Sequence, residues 1–232
     1  MSADHPADPR RAVPIPATGY LWAEGLEDAD DVTPWVLVHG YGQDAQDLVA
    51  WAQGFLPART PIVAPEGPDA FYRRPRGGPG ASTRGIAHGW LAEPRRADAE
   101  RRNDALLRHA LDLALQGRSA TGAVLLGYSQ GVGVATHAAV VDRARVRGLV
   151  GLAGGIPMLW RDQLHALAGL PVLWVTGALD ESYPPAYEAL VVEALEAGGA
   201  HVAHVALDAG HDLLAAAVPH VRAWMAGLLG AG

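Results

Sequence analysis

Six short apolar runs, at residues 35–39, 61–64, 122–128, 148–152, 171–176 and 201–207, alternate with stretches of helical periodicity. Runs this short suit strands buried on both faces and are too brief for buried helices. Strands that alternate with helices make a mostly parallel sheet covered on both sides, since each parallel crossover needs a helix and each helix must bury its apolar stripe. Helices are expected near 45–55, 98–116, 130–142, 160–168, 186–197 and 213–228. In 98–116, for example, Ala99, Leu106, Ala110 and Leu113 recur at helical spacing. Residues 18–24, where Tyr20 and Trp22 alternate, read as an edge strand. Residues 1–17, rich in Pro and charge, read as a poorly packed tail, which leaves 18–232 as one α/β domain without a cap. Residues 66–90 read as a long Gly-, Pro- and Arg-rich loop. A loop of that length in a compact domain is usually functional or mobile.

Composition narrows the chemistry. With 232 residues, half of them hydrophobic, the chain is long enough to bury a sizeable core. It has no Cys, so thiolate nucleophiles, disulfides and thiolate metal sites are excluded. Its cations are all Arg, and the absence of Lys removes Schiff-base chemistry. A net charge of −7 argues against generic nucleic-acid binding. The N-terminal residues lack the basic and apolar regions of a secretory signal. No apolar run approaches the ~18 residues of a membrane span. The expectation is a cytoplasmic protein with no integral membrane association.

The run 122–128 leads into Gly127-Tyr128-Ser129-Gln130-Gly131, and a helix is expected from 130. A serine on a sharp strand-to-helix turn is pushed out of the sheet edge, and only glycine leaves room beside it for strand and helix to approach. The new helix aims backbone N–H groups at the same place, so the N–H of Gln130 can meet a developing oxyanion. Ser129 is therefore a candidate nucleophile, and it needs a base and an orienting acid. Asp180 follows the run 171–176 and His211 follows 201–207. In a parallel sheet those ends share one edge, where open α/β sheets place their sites. The order Ser129, Asp180, His211 is that of the α/β-hydrolase triad. Asp208 and Asp212 compete for the acid role, but their closeness to His211 in sequence sets them beside its turn. His201 and His204 lie on opposite faces of a strand and cannot chelate one ion. His39, before Gly40-Tyr41-Gly42, reads as a structural hydrogen-bonding residue under a loop.

Taken together, these motifs resemble the phospholipase/carboxylesterase family of α/β-hydrolases, which includes acyl-protein thioesterases. The resemblance rests on Leu37-Val38-His39-Gly40-Tyr41-Gly42, Asp47-Leu48, Ala64-Pro65, Gly67-Pro68, Gly89-Trp90, Gly127 to Gly131, Leu152-Ala153-Gly154-Gly155-Ile156-Pro157, Gly177 with Asp180, and Gly210-His211. It implies a triad of Ser129, Asp180 and His211, with the backbone N–H groups of Tyr41 and Gln130 as the oxyanion hole. No metal or organic cofactor is implied. The chain departs from the family at position 41, where thioesterases often carry Leu, and in the Arg-rich segment before Trp90. The expected activity is hydrolysis of short- to medium-chain carboxylic esters, with a small-molecule ester as the partner. The alternatives are a long-chain lysophospholipase or acyl-protein thioesterase, and a non-catalytic binding module on the same fold. Trp90, Ile156, Met158, Trp160 and Tyr183 are the candidate substrate contacts; the aromatics read equally as core or pocket walls. The arginines at 73, 74, 76, 84, 95, 96, 101 and 102 read as a solvated surface, with anion recognition as the second reading.

Overall fold

The computed structural model describes residues 18–27, 32–72, 86–91 and 96–230. In chain order the elements are β1 (Leu21–Glu24), β2 (Trp35–Val38), α1 (Ala45–Gln53), β3 (Ile62–Pro65), β4 (Asp69–Tyr72), β5 (Ile86–Gly89), α2 (Arg96–Leu115), β6 (Ala123–Tyr128), α3 (Gln130–Val141), β7 (Val146–Leu152), β8 (Pro171–Gly177), α4 (Pro185–Ala197), β9 (His201–Leu207) and α5 (Leu214–Gly230). Seven strands form one sheet in the order β1-β3-β2-β6-β7-β8-β9. Within this sheet only the edge strand β1 runs antiparallel to its neighbour, a common way for a parallel sheet to end.

The apolar runs explain the two cores. Side chains alternate across a strand, so each run feeds both faces. Val36, Val38 and Leu125 pack with Leu107 and Leu111 of α2, Val134 of α3 and Val191 of α4. Trp35, Leu37, Val124 and Leu126 pack on the other face with Leu48 and Val49 of α1 and Ala217 and Val221 of α5. This is the α/β architecture expected from the sequence, a mostly parallel sheet covered by helices on both faces. Helix starts are locally encoded: Asp44 caps α1 by accepting from Asp47 N–H at 2.9 Å, and α4 opens on Pro185.

Two expectations need correction. Residues 66–90 are not all loop: β4 and β5 pair antiparallel, Asp69 opposite Gly89 and Tyr72 opposite Ile86, as a separate two-stranded sheet. Four-residue strands carry too little alternation to stand out in a Gly/Pro-rich sequence. The expected helix at 160–168 is instead a run of 3₁₀ turns over Met158–Leu167, entered from Pro157. The tail 1–17 and the arginines at 73, 74, 76, 84 and 95 lie outside the described residues, as does the side chain of Arg96. Arg101 pairs with Asp98, and Arg102 pairs with Asp69 at 2.9 Å, both on the surface. Among the described residues no helix is long and apolar enough to cross a membrane.

Candidate active site

Ser129 sits between β6 and α3 with φ 53° and ψ −121°, a conformation that L residues rarely adopt. Such strain costs about 1–3 kcal/mol and persists only where the surroundings enforce it. They do: a Cβ on Gly127 would lie 2.6 Å from Gly131 O, and one on Gly131 would lie 2.2 Å from Val38 O. The elbow closes only because both positions are glycine. Ser129 occupies the N-cap position of α3, where a serine ordinarily bonds the helix N–H groups, yet it makes no such bond. Its Oγ lies 2.9 Å from His211 Nε2 instead.

His211 follows β9, and Asp180 follows β8. His211 Nδ1 lies 2.9 Å from Asp180 Oδ2. Asp180 is buried, and its Oδ1 accepts the backbone N–H groups of Ser182 at 2.8 Å and Tyr183 at 3.0 Å. A carboxylate so held keeps His211 in the tautomer that carries its proton on Nδ1 and leaves Nε2 free to accept from Ser129. Asp208 and Asp212, the rival acids, are exposed. His201 is exposed, and His204 Nε2 meets Thr176 Oγ1 at 3.0 Å, away from its sequence neighbour.

The other side of Ser129 is formed by the loop after β2. A Cβ on Gly40 would come within 3.1 Å of the Ser129 Cβ, so this backbone passes directly over Ser129. Gly40 N–H donates to Gln43 Oε1 at 2.9 Å, and Gly42 N–H donates to His88 O at 2.9 Å. Between them, Tyr41 N–H donates to no group among the described residues, and neither does Gln130 N–H at the start of α3. Gln130 Oε1 accepts from Trp90 N–H at 2.9 Å, which ties the two loops together. Beneath them His39 is fully buried. Its Nε2 accepts from Gly67 N–H at 3.0 Å, so Nδ1 carries the proton and donates to Gly40 O at 2.8 Å. Burial pulls its pKa down to about 4, with the Gly40 carbonyl opposing in part.

Of the five candidate substrate contacts, Trp90, Ile156 and Trp160 are 0%, 2% and 5% exposed and belong to the core. The Trp90 indole N–H donates to His39 O at 2.8 Å, and Trp160 stacks on His137 with centroids 4.6 Å apart. These three shape the site from behind and offer no surface to a substrate. Met158 is 37% exposed, and Tyr183 is part-exposed beside His211. Sequence reasoning missed Tyr128, whose hydroxyl donates to His211 O at 3.2 Å and so fixes the histidine's loop. Its position inside the Gly127 to Gly131 motif was the available signal. It also missed Glu188, buried beneath the site, which accepts from Trp174 Nε1–H at 2.6 Å. Burial pushes its pKa up to about 7, against the pull of that hydrogen bond. Among the described residues no group of three or more His, Asp and Glu is arranged to hold a metal ion.

The arrangement is equipped for acyl transfer: a hydroxyl, a base in contact with it, an acid orienting the base, and two unspent N–H groups across from them. The model of the phospholipase/carboxylesterase family matches residues 28–226. The fold is similar to a carboxylesterase from Mesorhizobium loti at 23% identity and TM-score 0.69, over 90% of this chain and 95% of that one. It is similar to the Bacillus cereus carboxylesterase at 18% identity and TM-score 0.68, over 91% and 95%. Acyl-protein thioesterase 2 of Zea mays matches at 17% identity and TM-score 0.69, over 91% and 100%. At such identities the likeness is one of fold. No curated protein matches the chain.

Proposed function

The chain belongs to the phospholipase/carboxylesterase family, and from that premise we propose that it is a serine carboxylesterase for short- to medium-chain esters. The observation that carries this reading is the unbroken chain of contacts from Ser129 Oγ through His211 to Asp180, each 2.9 Å. In the proposed reaction His211 Nε2 takes the Ser129 proton as Oγ attacks the ester carbonyl. Asp180 stabilises the resulting imidazolium, and the N–H groups of Tyr41 and Gln130 receive the oxyanion. Collapse expels the alcohol with a proton from His211. Water then repeats the sequence on the acyl-enzyme and returns Ser129.

The chain-length preference rests on the shape of the apolar surface. Tyr187 donates to Ile156 O at 2.6 Å, and its ring fills the space a side chain at Gly155 would need. With Ile156 and Trp160 in the core, Met158, Leu159 and Leu179 are the large apolar groups left exposed after β7 and β8. Each methylene buried adds ~0.8 kcal/mol, so kcat/KM should climb over short acyl chains, level off near C8 and gain little beyond. The test is kcat/KM for p-nitrophenyl esters from acetyl to palmitoyl, below their micelle thresholds. A steady rise through palmitoyl would move the protein to the long-chain lysophospholipase or thioesterase reading.

A further inference from the structure

The loop after β2 is closed by one residue. Gln43 N–H donates back to Gly40 O at 3.2 Å, which makes residues 40–43 a turn with Tyr41 and Gly42 at its corners. Gly42 has φ 80°, the value a type II turn needs at its third position. The side chain of Gln43 returns to the same residue: Gly40 N–H donates to Gln43 Oε1 at 2.9 Å. Gly40 is thus held at its N–H and at its C=O by Gln43. Gln43 is itself fixed from two sides. Its carbonyl accepts from His88 N–H at 3.1 Å, a bridge to β5, and the next residue, Asp44, caps α1.

Resting on the acyl-enzyme reading above, we propose that the Gln43 side chain is a positioning residue that aims the Tyr41 N–H at the oxyanion. The C=O of Gly40 and the N–H of Tyr41 belong to one planar trans peptide and point in opposite directions. Whatever holds the carbonyl therefore aims the N–H, and Gly40 O is held by Gln43 N–H and by His39 Nδ1–H. The weak point is the other side of Gly40. With no Cβ its two dihedrals turn freely. A stiffer residue is excluded, because a Cβ there would lie 3.1 Å from both the Ser129 Cβ and Tyr128 Cδ1. The bond from Gly40 N–H to Gln43 Oε1 fixes the preceding peptide, so both peptides flanking Gly40 are locked and the hinge is removed. An oxyanion donor stabilises the transition state only when it is already aimed. Gln43 supplies at a distance the rigidity that the glycine cannot.

The test is Gln43→Met, which keeps the length of the side chain and removes the acceptor. On p-nitrophenyl butyrate kcat should fall about 10–100-fold, part of the ~100–1000-fold that loss of a whole oxyanion donor costs, while KM stays within about 3-fold of wild type. The inhibition constant of an alkyl trifluoromethyl ketone, which gives an oxyanion on reaction with the serine, should rise by a similar factor. Gln43→Glu restores an acceptor and should recover at least about 5-fold of the lost kcat. A purely structural side chain would move Tm and leave these readouts alone. Unchanged kcat in Gln43→Met, a loss that appears in KM instead, or a Gln43→Glu protein no better than Gln43→Met would overturn the role of Gln43 and leave the acyl-enzyme reading standing. Full activity in Ser129→Ala would overturn both.

Discussion

Two histidines follow strands at the same edge of the sheet, and they are built for opposite purposes. His39, after β2, is sealed from water, and both its ring nitrogens are spent on backbone groups, Gly40 O and Gly67 N–H. The side chain of His211, after β9, is 33% exposed. It spends Nδ1 on Asp180 and presents Nε2 to Ser129. Residue type and placement past a strand end are the same, though the strands differ; what decides the purpose is the partner of the second nitrogen. A histidine whose lone pair is taken by a backbone N–H is a peg. One whose lone pair faces a hydroxyl can act as a base.

The comparison is tested most severely by removing each ring. Ser129→Ala and His211→Ala should each cost on the order of 10⁴-fold or more in turnover with the fold intact, and the double variant should be scarcely worse. His39→Leu should do the reverse. It strands the Gly67 N–H and the Gly40 carbonyl, each costing about 1–3 kcal/mol, and should show first as a fall in Tm. A His39→Leu protein with unchanged Tm and turnover as low as that of His211→Ala would break the distinction. The acid behind the base comes next. Asp180→Asn should cost roughly 10³–10⁴-fold in kcat, while Asp208→Asn should stay within about 3-fold of wild type. The reverse ranking would reassign the acid.

Smaller effects appear in stability against pH, where His39 and Glu188 pull in opposite directions. The pKa of His39 is depressed, from 6.5 to about 4, so the unfolded chain binds its proton first. Its contribution is intact above pH 6.5 and is lost as pH falls toward 4. The pKa of Glu188 is raised, from 4.5 to about 7, so the folded state binds the proton more tightly. Its contribution is full below pH 4.5 and is lost as pH rises through 7. Denaturant titrations from pH 4 to 8 should find Glu188→Gln gaining on wild type above pH 7, by on the order of 1–3 kcal/mol. A difference that stays constant with pH would contradict the raised carboxyl. The smallest effect is at the elbow. Ser129→Gly relieves the positive φ of residue 129 and should raise Tm by about 2–4 °C while abolishing turnover. A lower Tm would mean that the serine carries no strain.

The sequence shows that Ser129, Asp180 and His211 meet because each follows an apolar run, and parallel strands bring those run ends to one edge. The sheet itself was legible for the same reason: β2, β6, β7 and β8 are apolar on both faces. What stayed hidden depends on direction rather than position. Trp90, Ile156 and Trp160 follow strand ends just as a pocket wall would, but their side chains turn into the core. Nothing in the local pattern distinguishes inward from outward at a loop. The pair β4 and β5 escaped notice because its residues find partners outside the main sheet. One of those partners is the Gln43 backbone, bridged by His88 beside the Tyr41 loop. Tyr128 and Tyr183 hold His211 through a backbone carbonyl and a ring face, contacts that leave no spacing signature.

The central claim is that Ser129 is a nucleophile activated by His211. Reaction with a fluorophosphonate, followed by intact mass and peptide mapping, tests it most directly. The account predicts one phosphonyl adduct per chain, on Ser129, absent from Ser129→Ala and formed at least about 100-fold more slowly in folded His211→Ala. An adduct on another residue, or labelling at the wild-type rate without His211, would contradict it.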